Sequence, residues 1–167
     1  MPETPSRPSE PAAAQPNDHP VWQRLLAWDA NAVETGKFDR DELTLTIPSA
    51  RLAGVAEYLR DDAALRFDLL ADVTCVDRVP SRPRFELAYH LYCTSRHTWL
   101  RLKVWTDEDQ AVPSVTGVWP AANWHEREVW DLFGVRFSGH PFLRRILMPD
   151  NWEGHPMRKD YPVEGYR

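Results

Sequence analysis

The spacing of hydrophobic residues predicts two amphipathic helices in the first part of the chain. Apolar side chains recur at i, i+3, i+4 and i+7 over residues 52–59, and Ser49 is the expected cap of that helix. A shorter helix is predicted from Pro20, with Asn17 or Asp18 as its cap. Each helix has a single apolar stripe, so each is expected to pack on a sheet.

Strict alternation of apolar and polar residues predicts the strands of that sheet. Residues 43–47 and 72–76 each read as a half-buried strand. The clearest pair is a hairpin, in which residues 85–93 lead into a turn at 94–97 and a return strand follows over 99–105. This order of elements predicts an α+β fold with a mostly antiparallel sheet, helices packed on one face, and a long extended C-terminal arm.

The other face of the return strand interleaves cations with tryptophans, as nucleic-acid-binding strands do. It is formed by Trp99, Arg101, Lys103 and Trp105. The alternative is an outer face on which the long side chains extend into solvent. A formal net charge of −5 favours this alternative, and no nucleic-acid partner is expected.

The 167 residues suit one domain with a segment at each end. Residues 1–20 hold six of the 15 prolines and predict a disordered leader, residues 21–137 a compact α+β domain, and residues 138–167 an extended interface arm. Neither a signal peptide nor an apolar run of about 20 residues is recognisable. The chain is therefore expected to be cytoplasmic, with any membrane contact indirect.

A third helix is predicted between Pro120 and Gly134. Residues placed every 100° around its axis gather the apolar side chains in one arc. Glu126 falls inside that arc. The opposite, polar side is formed by Arg127, Glu128 and Asp131.

A carboxylate at the position of Glu126 needs a compensating group, because burying it alone costs several kcal/mol. The expected partner is Arg136, Arg144 or Arg145, and the resulting ion pair would attach the C-terminal arm to the helix. The alternative is a general acid or base with a raised pKa. The ion pair is favoured, because no second catalytic group lies at a recognisable spacing.

The residues after the third helix alternate charges, aromatics, glycines and prolines without helical or strand periodicity. Each proline prevents a helix from continuing and favours an extended residue before it. An ordered irregular arm of this length is unusual in one small domain. Burial against neighbouring proteins is the expected way to satisfy its backbone.

Three histidines suggest metal sites that the sequence does not complete. Residues 125–126 begin like the helix of a zinc protease, but Val129 occupies the place of the second histidine. His140 and His155 recur in the same Gly-His-Pro context, where a turn-stabilising role is favoured over metal binding. The two cysteines are too few for an iron–sulfur cluster, which needs about four ligands. No cofactor or metal is expected in this chain.

The third helix and the arm resemble the C subunit of the proton-pumping NADH:quinone oxidoreductase, respiratory complex I. The resemblance lies in the runs EREVWDLFG at 126–134, FSGHP at 137–141, LRRIL at 143–147, DNWEGHP at 150–156 and RKDYP at 158–162, and in DVT and YHLY at 72–74 and 89–92. It extends over roughly residues 40–167. Met157 stands where a leucine is expected, which conserves volume.

The resemblance implies a non-catalytic member of the peripheral arm of complex I, on the cytoplasmic side of the bacterial cell membrane. FMN and iron–sulfur clusters would lie in partner proteins of the complex. The chief partners would be the D subunit, which shapes the quinone cavity, and the cluster-bearing B and I subunits. The residues expected at interfaces are Glu126, Arg127, Glu128, Asp131, Arg136, His140, Arg144, Arg145, Trp152, His155, Arg158, Lys159, Asp160 and Tyr161.

Two other functions are considered. The first is the equivalent subunit of a related complex, such as an energy-converting hydrogenase or a dehydrogenase fed by ferredoxin or a deazaflavin, because the electron donor binds other proteins of the complex. The second is a stand-alone hydrolase that uses Glu126 and a histidine, which is strongly disfavoured.

Overall fold

A five-stranded sheet organises residues 16–165, the part of the chain that the computed structural model describes. Its strands are β1 (Thr35–Asp39), β2 (Glu42–Thr46), β3 (Leu69–Asp77), β4 (Phe85–Cys93) and β5 (Thr98–Thr106). They lie in the order β1-β2-β5-β4-β3. All neighbouring strands are antiparallel except β2 and β5, so the prediction of a mostly antiparallel sheet is confirmed.

The helices are α1 (Pro20–Trp28), α2 (Leu52–Asp61) and α3 (Ala122–Phe133). Their buried side chains form one cluster with the apolar face of the sheet, which is built on Leu87, Tyr89 and Leu91 of β4 and their neighbours. The pattern explains this, because alternate residues of a strand point to one face. The prediction of an α+β fold is confirmed.

The outer face of the sheet carries charged side chains that form ion pairs with one another. Glu86 lies between Arg78 and Lys103, and Arg101 donates to Glu42 at 2.5 Å. Trp99 remains 48% exposed. These carboxylates neutralise the cations of β5, which agrees with an outer face in contact with solvent rather than a nucleic-acid surface.

The helix starts differ from the predicted ones. The Nδ1 atom of His19 accepts the Val21 amide proton at 3.3 Å and caps α1, in place of Asn17 or Asp18. Ser49 begins a short 3₁₀ turn (Ser49–Arg51) before α2 and caps nothing with its side chain. Pro16–Asp18 forms another 3₁₀ turn, so the end of the predicted leader is folded, while residues 1–15 lie outside the described residues.

Two short strands that the sequence does not predict connect the chain before and after α3. They are β6 (Val112–Pro113) and β7 (Phe137–Ser138), which pair in parallel. Ser138 thus belongs to a strand, although the arm was predicted to begin there. Residues 139–165 contain turns and irregular backbone without a helix or strand.

Candidate interaction surface

Helix α3 is buried on two sides. Val129 and Phe133 belong to the core beneath the sheet, and Arg127 and Asp131 on the predicted polar side are also buried. Gly134 ends the helix with φ 78°, a left-handed conformation that favours glycine. The buried polar side is covered by the C-terminal segment, defined here as residues 139–165.

The predicted ion pair between Glu126 and an arginine is wrong. The Glu126 carboxyl is fully buried, and it accepts a hydrogen bond from Ser114 Oγ at 2.6 Å and one from the Val115 amide at 2.8 Å. Burial raises the pKa of this carboxyl to about 7, against the opposing effect of these two hydrogen bonds. Glu126 therefore attaches the loop before α3 to the helix, as a carboxyl that needs no cation when it is protonated.

Asp131 has the attaching role that was assigned to Glu126. Its carboxylate is fully buried, pairs with Arg145 at 2.6 Å, and accepts hydrogen bonds from three successive backbone amides at 2.9–3.0 Å, those of residues 146–148. Burial alone would raise the pKa of Asp131, but these donors lower it below its ordinary value. The carboxylate thus determines the path of the C-terminal segment.

Two arginines complete this attachment through backbone carbonyls. Arg127 donates to the carbonyl oxygens of Arg144 and Arg145 at 3.2 and 2.9 Å. Arg145 in turn donates to the carbonyls of Trp152 and Gly154 at 2.7 and 3.1 Å. Irregular backbone leaves carbonyls without secondary-structure partners, and guanidinium groups supply the missing donors.

The two Gly-His-Pro histidines hold opposite ends of α3. His140 Nδ1 accepts the Phe142 amide proton, so Nε2 carries the proton that is donated to the Asn123 carbonyl at 3.3 Å. His155 Nδ1 donates to the Asp131 carbonyl at 2.9 Å. Burial lowers the pKa of both imidazoles. Within residues 16–165 no group of three or more His, Cys, Asp or Glu side chains could hold a metal ion.

A second attachment lies at the end of the sheet where β3 stops and β4 starts. Arg84 is buried and pairs with Asp77 at 2.7 Å, with Glu108 at 2.6 Å and with Asp160 at 2.8 Å. The Lys159 amide donates to Asp77 at 2.9 Å. Arg84 holds the pKa of the Asp77 carboxyl well below its ordinary value. Sequence reasoning missed Arg84, since its partner Asp160 lies 76 residues away in the chain.

The remaining predicted residues divide between this attachment and the surface. Arg158 donates to the Phe133 carbonyl at 2.6 Å and pairs with Glu108 at 3.3 Å. Tyr161 donates to the Glu153 carbonyl at 3.3 Å. Five of the predicted residues are exposed to solvent: Glu128, Arg136, Arg144, Trp152 and Lys159.

Large apolar side chains are exposed along α3 and the C-terminal segment, although that segment is attached to its own domain. They are Trp124 (62%), Phe142 (56%), Leu147 (55%), Trp152 (39%), Met157 (56%) and Val163 (105%). Arginines lie over two of these rings, Arg144 over Phe142 at 4.4 Å and Arg127 over Trp124 at 5.4 Å. These six residues are called the apolar surface below. Such surfaces mark protein contacts when they cluster.

A comparison with protein families identifies most of the chain. The family model described as the 30 Kd subunit of the respiratory-chain NADH dehydrogenase matches residues 45–167. The C subunit of the NADH-quinone oxidoreductase of Roseiflexus sp. (strain RS-1) is 46% identical over 144 residues, which cover 86% of this chain and 83% of that protein. The corresponding protein of Paramagnetospirillum magneticum (strain ATCC 700264 / AMB-1) is 52% identical over 125 residues, 75% of this chain and 63% of that protein.

A solved structure supports the same relationship. One chain of the membrane-bound sulfane sulfur reductase, an archaeal respiratory membrane complex, matches with a TM-score of 0.72 at 29% identity, covering 86% of this chain and 84% of the other. The matched family region contains α3 and the attached C-terminal segment. The chain thus belongs to the family of the 30 Kd subunit of the respiratory-chain NADH dehydrogenase, in which its bacterial relatives are named as the C subunit of NADH-quinone oxidoreductase.

Proposed function

We propose that this chain is a non-catalytic member of the peripheral arm of a proton-translocating NADH:quinone oxidoreductase. In this proposal it binds the D subunit and the cluster-bearing B and I subunits, and it supports electron transfer from NADH to quinone. FMN and the iron–sulfur clusters belong to these and other partner proteins. The chain itself contributes shape and contacts on the cytoplasmic side of the bacterial cell membrane.

The apolar surface is the observation that carries this proposal. Five of its six side chains lie on the irregular C-terminal segment, which Asp131 and Arg84 hold against the domain. A segment that is attached from below and apolar on its outer side is suited to contact another protein without ordering first. Preorganisation of this kind reduces the entropic cost of association.

The chemistry of the chain agrees with a role in assembly. The two cysteines are both buried free thiols. Burial raises the pKa of Cys75 to about 12, so its free thiol is protonated at neutral pH. Among residues 16–165, no helix combines the length and the hydrophobicity that crossing a bilayer requires. We propose that the chain is attached to the membrane through partner proteins of the complex.

A matched pair of variants in the full-length protein tests the apolar surface. Leu147→Asp introduces a charge in this surface, and Leu26→Asp introduces the same charge at an exposed leucine of α1. We expect Leu147→Asp to abolish co-purification with the D, B and I subunits from membranes, while Leu26→Asp preserves it. Equal recovery of the complex with both variants would contradict the proposal, provided that both proteins keep the wild-type thermal transition.

The similarity to a sulfane sulfur reductase chain favours one second candidate. The equivalent subunit of a related respiratory complex would have the same fold and the same surface, because the electron donor binds other proteins of the complex. Mass spectrometry of the co-purified proteins distinguishes the two. An NADH-binding protein among the partners supports the first proposal, and a hydrogenase-type or sulfur-reducing partner supports the second.

A further inference from the structure

Strand β3 is one of the two edges of the five-stranded sheet, and it pairs with β4 on one side only. The register with β4 is regular over residues 72–77 and continues beyond the strand, where the Arg78 amide donates to the Arg84 carbonyl at 2.8 Å. Residues of an antiparallel strand alternately bond to the neighbouring strand and point away from it. Counted back from Arg78, the amides and carbonyls of Val73 and Cys75 therefore point away from β4.

The four outward groups of Val73 and Cys75 have no hydrogen-bond partner among residues 16–165. Their side chains are buried in the core, so the open backbone is fixed in place. Residues 73–76 are Val-Thr-Cys-Val, without a charge, a proline or a glycine. Val and Thr favour strands, and an edge of this kind is a template on which another chain can pair.

The opposite edge, β1, carries features that prevent such pairing. It has five residues, compared with nine in β3. It contains Gly36, and Lys37 and Asp39 form an exposed ion pair at 2.7 Å. Short length, glycine and charge weaken pairing at an edge. Residues 73–76 of β3 have none of these features, and the bulge of that strand lies before them.

A groove of about 260 Å³ runs beside the open edge, between β3 and α3. Val129 and Leu132 line it from the helix, and Met157 lines it from the C-terminal segment. Met157 is also part of the apolar surface. The groove and the apolar surface are therefore continuous.

Contacts with other parts of the chain mark both ends of the open edge. His125 Nδ1 lies 3.3 Å from the Asp72 carboxylate at one end. The Lys159 amide donates to the Asp77 carboxylate at 2.9 Å at the other end. The four residues 73–76 remain between them, a length of about 13 Å. The edge thus has room for a short extended segment.

We propose that an extended segment of a neighbouring protein adds to the sheet as a strand beside β3. Its backbone exchanges hydrogen bonds with Val73 and Cys75, and its apolar side chains on the inner side pack against Leu132 and Met157. In strand addition, backbone hydrogen bonds provide affinity and alternate side chains provide specificity. The inference rests on the proposed function in taking this neighbour from the proteins of the complex.

The first 15 residues of this chain are poorly suited to be that strand. Prolines occupy positions 2, 5, 8 and 11, and a proline has no amide hydrogen to donate to a neighbouring strand. The turn Pro16–Asp18 lies beside β1, at the opposite edge of the sheet. Another protein is therefore the occupant that fits, and contact with the apolar surface would bring one to the groove.

Photo-cross-linking in cells that produce the full-length chain tests this site without assuming which complex forms. A photoreactive amino acid replaces Val76, which is 40% exposed. We expect a product with another protein, attached within a segment of at least four residues that alternates apolar and polar side chains. Absence of a product, or a product with lipid, with a second copy of the chain or with residues 1–15, would overturn the proposal.

Two matched pairs of variants test whether the product depends on the edge. Cys75→Pro removes an outward amide but no hydrogen bond to β4, and Cys75→Ala keeps that amide. We expect Cys75→Pro to reduce the product at least tenfold and Cys75→Ala to leave it within twofold. Thr74→Lys introduces a charge at the β3 edge and should reduce the product at least fivefold, whereas Thr35→Lys at the β1 edge should not. Equal products within a pair would contradict the proposal, and the lysine pair decides if Cys75→Pro lowers the thermal transition.

Hydrogen exchange provides a readout specific to backbone pairing. The amides of Val73 and Cys75 should exchange at least a hundredfold more slowly in the complex purified from membranes than in the isolated full-length chain. Unchanged exchange in a complex that contains an NADH-binding protein would overturn the added strand and leave the proposed function standing. Slower exchange in a complex without an NADH-binding protein would support the added strand and contradict the proposed function.

Discussion

Replacing Glu126 by Gln should change how the stability of this protein depends on pH. The Glu126 carboxyl is fully buried, its two donors are Ser114 Oγ and the Val115 amide, and no cation among the described residues contacts it. A protonated carboxyl also fits this site, because the Ser114 hydroxyl can then turn and accept the carboxyl proton while the other carboxyl oxygen still accepts from the Val115 amide. Glutamine has the same shape and reproduces this pattern with an amide.

The direction and the size of this pH dependence follow from the pKa of the Glu126 carboxyl. Burial raises the pKa of Glu126 from 4.5 in the unfolded chain to about 7 in the folded protein. Below pH 4.5 both states are protonated, and the favourable contribution of the neutral carboxyl is fully present. As the pH rises to 7, the unfolded state gains by ionising first, and the free energy of unfolding falls by about 3 kcal/mol. Above pH 7 the loss is complete.

The assay is urea denaturation of the wild type and Glu126→Gln between pH 4.5 and 8. Slopes from other carboxylates are common to both proteins, so the difference between the two unfolding free energies isolates this group. We expect that difference to move by about 3 kcal/mol in favour of the variant as the pH rises. Glu128→Gln on the exposed side of α3 is the control and should show no such trend. A variant less stable than the wild type by the same amount at every pH would refute a protonated Glu126.

The other predictions concern the attachment of the C-terminal segment. Asp131→Asn leaves Arg145 without its carboxylate and should lower the free energy of unfolding by about 3–5 kcal/mol. Hydrogen exchange at the amides of residues 146–148 should become faster, and unchanged exchange would contradict the role of Asp131. Arg84→Met leaves the buried Asp77 carboxylate without its cation and should lower the free energy of unfolding by about 3–5 kcal/mol. Arg82→Met removes an exposed ion pair with Asp107 and should lower it by at most about 1 kcal/mol. The pKa of Asp77 is lowered by Arg84, so wild-type stability should fall with acidification below about pH 4, and this dependence should weaken in Arg84→Met. Gly134→Ala places a Cβ 2.5 Å from the His155 ring at a residue of positive φ, and it should lower the free energy of unfolding by more than about 1 kcal/mol. The Cβ of Gly117→Ala meets no atom within 4 Å, so this variant should keep the stability of the wild type. Equal thermal transitions for the two glycine variants would count against this reasoning.

Local sequence patterns predicted the elements whose burial is uniform along one face. The stripe over residues 52–59 became α2, and the alternation over 85–105 became β4 and β5 with nearly the predicted bounds. Strand β1 was missed, because an edge strand with Gly36 and one large apolar side chain, Phe38, has no alternation to read. Its existence depends on pairing with β2.

Long-range polar contacts could not be assigned from the sequence. The position of Glu126 in the apolar arc correctly indicated a buried carboxyl, but periodicity does not show which donor lies opposite. The partners of Glu126 are Ser114 and the Val115 amide instead of the expected arginine, because the loop before α3 lies within hydrogen-bond distance of the carboxyl. Asp77 could have been suspected, since it continues the inward-facing alternation of β3.

The burial of both sides of α3 explains the largest departure from the sequence-based expectation. A helix packed on a sheet usually exposes its polar side, so Arg127 and Asp131 were placed at a surface. The irregular segment that follows has amide and carbonyl groups without partners, and buried side chains that bear several donors or acceptors can satisfy them. Asp131 supplies acceptors to three amides, and Arg127 supplies donors to two carbonyls. The polar side of α3 is therefore complementary to the backbone of this chain's own C-terminal segment, and the proposed contact with neighbouring proteins falls to the exposed apolar side chains of this segment.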